Sequence, residues 1–114
     1  MKYEYKTEML EVGEQNVLVF RLPQEIKLVE TFLFSDVPSR AGSGEWVLEA
    51  IDRVLDGRSE AEEITGNVCT LEIGREFTRV SDSLADDSET CVIETSELKE
   101  LILIWLKEKE RSNA

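Results

Sequence analysis

The chain has 114 residues, 41% of them hydrophobic and 33% charged, and a formal net charge of −12; this length supports one domain with one core, and the charge exceeds the ~25% usual in globular proteins. Histidine is absent, which excludes Ser-His-Asp and Cys-His catalysis, histidine metal ligation and histidine proton shuttling. With 25 Asp and Glu against 13 Lys and Arg and no basic cluster, nucleic acid is not expected as a partner.

The opening MKYEYKTEML lacks the apolar stretch of a secretory signal. The longest apolar run, residues 101–106, is far below the ~20 residues of a membrane span. A soluble, cytoplasmic protein without membrane contact is therefore expected. Tyr3, Tyr5, Thr7 and Met9 alternate with Glu4, Lys6 and Glu8, the period of a half-buried strand. After turn residues 13–16, VLVFRL at 17–22 reads as a second strand forming a hairpin with the first. Residues 25–34, EIKLVETFLF, fit either a strand face or a helix stripe; their Phe, Val and Thr content, with Pro38 close behind, favours a strand. DVPSRAGSG at 36–44 reads as a loop.

The clearest helix is 45–57, where Val47, Leu48, Ile51, Val54 and Leu55 recur at three- and four-residue spacing. Ser43 is its expected N-cap and Gly57 its stop. A polar connection at 58–63 follows, then a strand marked by Val68, Cys69, Leu71 and Ile73, a tight turn at 74–76 and a returning strand at 77–80. Cys91, Val92 and Ile93 form a short last strand before a terminal helix capped by Thr95 or Ser96. Six consecutive apolar residues, LILIWL, give that helix more than one apolar face. Leu98, Leu101, Ile102 and Trp105 are expected to cover the sheet, while Leu103, Ile104 and Leu106 point partly elsewhere and offer a surface for a second copy or another partner. The expected fold is a single α+β domain over residues 1–114. It has a mainly antiparallel sheet of five or six strands and two helices packed on it, in the order β-β-(β)-α-β-β-β-α.

Little in this order suggests catalysis. Gly42-Ser43-Gly44 lacks the remaining elements of a phosphate-binding loop. Asp82, Asp86, Asp87 and Glu89 are oxygen donors, yet their spacing lacks the alternating ligands and central glycine of a calcium loop. Cys69 and Cys91 sit in apolar runs of an acidic region, where a free thiol packs as a small hydrophobe and lacks the cation that would make it a nucleophile. No cofactor, metal site or enzymatic activity is expected.

Charge is the stronger signal. Residues 43–97 hold four arginines against fifteen acids, nearly the whole negative excess. If folding gathers Glu60, Glu62, Glu63, Asp82, Asp86, Asp87 and Glu89 on one side with the first helix, they form an acidic surface that steers a basic protein to it.

Three stretches carry a resemblance: the strand pair TGNVCTLEIGREFTRVSD, the acidic loop LADDSET, and the closing CVIETSELKELILIWLKEKE. With these the chain resembles the small acidic α/β immunity proteins of bacterial contact-dependent and polymorphic toxin systems. The resemblance implies a cytosolic, non-catalytic inhibitor that forms a tight complex with one toxin domain, often a nuclease. The alternative is a small adaptor that homodimerises through Leu103, Ile104 and Leu106 of the terminal helix.

Overall fold

A computed structural model describes residues 2–37, 43–82 and 90–112. Strands β1 (Lys6–Val12) and β2 (Gln15–Arg21) form an antiparallel hairpin. Its two-residue loop begins with Gly13 at φ 64°, the left-handed conformation that the first central position of a type II′ turn requires. A 3-10 turn at Gln24–Ile26 leads into α1 (Lys27–Asp36), and α2 (Glu45–Leu55) follows. Strands β3 (Glu62–Thr65), β4 (Cys69–Ile73), β5 (Phe77–Asp82) and β6 (Thr90–Glu94) form a second, antiparallel sheet in that spatial order, and α3 (Thr95–Ser112) closes the chain. No described helix is long and apolar enough to cross a membrane.

The α+β class and antiparallel pairing agree with expectation, but the layout differs: three helices rather than two, and two sheets rather than one. Residues 25–34 are not a strand. Ile26, Leu28, Val29, Phe32 and Leu33 are all buried in a helical arrangement, and α1 contacts β2 on one side and β4, β5 and β6 on the other. A segment filling the space between two sheets needs an apolar surface wider than one strand face, so packing overrides the strand preference of Phe, Val and Thr. The connection at 58–63 also differs, because Glu62 and Glu63 already belong to β3 and pair with Ile73 and Glu72.

Ser43 does not cap α2. Gly44 holds that position without a side-chain hydrogen bond, and the Ser43 hydroxyl donates to the Asp36 carbonyl. Gly57, at φ 79°, ends α2 as expected. The Asp36 carboxylate is buried and accepts from the N–H groups of Val68 (3.0 Å) and Cys69 (2.8 Å), tying the end of α1 to the start of β4. A buried carboxylate needs such donors to offset its lost hydration.

All three helices contact the four-stranded sheet, over Ile64, Leu71, Ile73, Val80 and Ile93. Leu98, Leu101, Ile102 and Trp105 of α3 are buried there as expected, but so is Leu106, at 1% exposure. The proposed self-association patch therefore loses one of its three members to the core, leaving Leu103 exposed and Ile104 half-buried. Where α3 begins, Thr95 Oγ1 donates to the Gly74 carbonyl (2.6 Å) and so accepts from Thr78 Oγ1 (2.8 Å), satisfying both buried hydroxyls.

The N-terminal residues are fastened to the same region. Lys2 Nζ and Tyr3 Oη each donate to Glu94 at 2.5 Å, and the Lys2 backbone N–H donates to Glu97 at 3.1 Å. Hydrogen bonds from Lys2 and then Tyr3 hold the Glu94 carboxyl down to about 2, while burial and then Glu94 push the Tyr3 hydroxyl up to about 12. A carboxyl depressed in the folded state contributes stability above its unfolded value and loses it as pH falls. Acidification from about 4.5 toward about 2 is thus expected to free residues 2 and 3. The Tyr3 ring resonances should shift over that range in the natural chain, whereas Glu94→Gln should show the released state already at neutral pH.

Candidate docking surface

Side chains alternate across a strand, so a sheet covered by helices on one face presents every second residue to solvent on the other. Register places Glu63, Glu72, Arg79 and Val92 in one cross-strand row of the outer face. Thr65, Thr70, Ser81 and Thr90 form a second row. Phe77, opposite Glu94, lies diagonally from Val92 on the same face. Phe77 and Val92 are 54% and 51% exposed, large apolar side chains left in water on the outer face, Phe77 at the start of β5 and Val92 on the edge strand β6. Around them an open groove of about 610 Å³ runs from β3 to β6, its polar rim made of Glu62, Glu63, Glu72 and Arg79.

The electrostatics of this face are unbalanced. Glu63 and Glu72 stand directly opposite one another, a like-charge pair that costs stability. Arg79 lies opposite Glu72 on the far side, but no salt bridge joins them among the described residues.

The expected acidic residues are distributed as follows. Glu60 is exposed in the turn before β3, and Glu63 lies on the outer face. Glu62 is turned toward α2, where Arg53 grips it through Nε (2.6 Å) and Nη2 (2.7 Å); those hydrogen bonds lower its carboxyl below the usual range. Asp82 pairs with Cys69 at the end of β5, on the helix-covered side by alternation. Asp86, Asp87 and Glu89 lie outside the described residues. On α2, Asp52 is paired with Lys99 (2.7 Å). The structure thus brings Glu62 and Glu63 to the groove and turns Asp82 away from it. Glu72, Phe77, Arg79 and Val92 were not anticipated, although their alternation with Leu71, Ile73, Thr78, Val80 and Ile93 was present in the sequence.

The surface has no chemistry of a catalytic kind. Burial, with smaller contributions from Asp36 and Asp82, pushes the Cys69 thiol up to about 12, and burial also raises Cys91, so neither supplies a thiolate at neutral pH. Among the described residues no group of three or more Cys, Asp or Glu is placed to hold a metal ion. What the groove offers is an apolar patch at its β5–β6 end beside the carboxylates of β3 and β4, a mixture that suits protein docking.

No family model matches the chain, and no solved structure matches it. An immunity protein of Bacillus cereus is 49% identical over 113 residues, an alignment covering 96% of this chain and 92% of that protein. At that identity over nearly the full length, the chain belongs to the immunity proteins.

Proposed function

We propose that this chain is a cytoplasmic inhibitor, not an enzyme, that neutralises the toxin domain of a contact-dependent or polymorphic toxin system. It does so by a tight one-to-one complex, and the toxin docks on the outer face of the four-stranded sheet. The observation that carries the docking site is the exposure of Phe77 and Val92 within a groove rimmed by Glu62, Glu63 and Glu72. Apolar anchors at the centre supply affinity, and the surrounding carboxylates supply speed and choice of partner. A chain with net charge −12 favours a cationic partner. A nuclease, whose cleft must be positive to hold phosphates, has that character.

Association with the purified cognate toxin domain, sought among the neighbouring coding regions, tests the reading. The on-rate is expected to fall about 10- to 1,000-fold between low and high salt, and cells expressing the chain should survive the toxin. A salt-independent on-rate would remove the acidic docking face from the account. Absence of any complex would remove the inhibitor role itself.

A further inference from the structure

The hairpin presents an unused edge. All seven residues of β1 are exposed, including Met9, Leu10 and Val12, although the alternation of Tyr3, Tyr5, Thr7 and Met9 reads as a half-buried strand. β2 covers one edge of β1, and no other described strand pairs with it. The register runs from Lys6–Arg21 to Val12–Gln15 with neither a bulge nor a proline to interrupt it; the charges of Lys6, Glu8 and Glu11 are what discourages an indiscriminate partner strand there. A two-residue loop closes on a hydrogen-bonded pair, here Val12 with Gln15. Alternation then turns the N–H and C=O groups of Thr7, Met9 and Glu11 outward. A two-stranded ribbon is marginal in water, and a third strand would stabilise it.

The surroundings specify what kind of strand fits. Leu10, Val19 and Phe34 line a groove of about 290 Å³ between the hairpin and α1. The Glu30 side chain lies in its wall, 10% exposed, with Oε2 lacking any hydrogen-bond donor and only Lys27 Nζ at 4.0 Å. The hairpin cation Arg21 is engaged by Glu8 and Glu30 at the base, while the tip carries exposed Glu11 and Glu14. Through Lys2, Tyr3 and Glu94 the base of the hairpin is fastened to β6, the strand that carries Val92.

We propose that β1 accepts an extended, cationic segment of the toxin domain as a third antiparallel or parallel strand, its apolar side chains entering the Leu10–Phe34 groove and its basic ones meeting Glu11, Glu14 and Glu30. This rests on the inhibitor reading above. Main-chain pairing supplies the affinity and the flanking acids exclude neutral or acidic strands. A second copy of this chain is the less favoured occupant, since two molecules of charge −12 repel.

The test uses the full chain and the same purified toxin domain. Amide exchange at Thr7, Met9 and Glu11 should slow on complex formation, while Glu8, Leu10 and Val12 are already protected in the free protein. Met9→Pro removes an outward N–H without breaking a bond to β2 and should raise Kd about tenfold or more. Because proline could disturb the hairpin, Glu11→Lys with Glu14→Lys provides an independent variant, expected to slow association at low salt. Unchanged exchange at the three amides, or wild-type affinity in both variants while Phe77→Ala still weakens binding, would overturn the edge proposal alone. A concentration-dependent dimer abolished by Met9→Pro would assign the edge to self-pairing and also overturn it. Failure of the natural chain to bind the toxin would take down both readings.

Discussion

Replacing Trp105 by alanine is expected to lower the unfolding free energy by about 3–5 kcal/mol, a large share of the stability of a domain that has about 5–15 kcal/mol in total. The indole is 1% exposed and connects three parts of the fold. Its ring meets Phe20 of β2 edge-on at 5.0 Å between centroids, its Nε1–H donates to the Val37 carbonyl at the end of α1 (2.7 Å), and Lys109 of α3 lies over the ring. Alanine leaves a cavity where helix, hairpin and α1 converge, and it orphans a buried carbonyl. Trp105→Phe separates the two terms: the volume is largely kept, so the loss should fall to about 1–3 kcal/mol for the unpaired Val37 carbonyl and the smaller ring. Urea denaturation followed by circular dichroism measures both, avoiding the fluorescence of Trp46. An alanine variant within 1 kcal/mol of the natural chain would mean that the hairpin does not share this core.

Where one local pattern sufficed, the sequence was legible. Val47, Leu48, Ile51 and Val54 mark α2 because no other arrangement puts them on one side, and Gly57 ends it because its backbone must turn left-handed. Residues 25–34 satisfied two periods equally, and the decision between them was made by tertiary space: only a helix there covers both β2 and the larger sheet. β3 has one buried apolar residue, Ile64, too little for any window of sequence to reveal; its strand character comes from pairing with β4. The Asp36 carboxylate lies at the edge of a segment that reads as loop, and its partners are more than thirty residues away.

The docking face shows the same division. Of the acids that net charge singled out, Glu62 and Glu63 line the groove, but charge alone does not say which acids already have cations, as Glu62 has Arg53 and Asp52 has Lys99. Phe77 and Val92 carry no charge and look like core residues of strands. They stand exposed because all three helices pack on the opposite face, and that is a property of the whole topology.

Charge reversal at Glu63 separates stability from binding. In the free protein Glu63→Lys converts a repulsion with Glu72 into an attraction, so the variant should be as stable as the natural chain or more so, by about 0.2–1 kcal/mol. Toxin binding should move the other way: a rim charge of the wrong sign slows encounter and leaves a partner cation facing a cation, raising Kd about tenfold to a hundredfold at low salt, with most of the difference disappearing as salt rises. Phe77→Ala should behave differently again. The ring is half in water already, so folding changes little, while loss of an aromatic anchor at the centre of an interface costs about 2 kcal/mol or more, some thirtyfold in Kd, and salt does not restore it. Thermal unfolding, Kd at two salt concentrations and survival of toxin-challenged cells, measured on the same two variants, distinguish these signatures. If Glu63→Lys and Phe77→Ala both protect cells as well as the natural chain does, the toxin docks elsewhere, and those features have no role in inhibition.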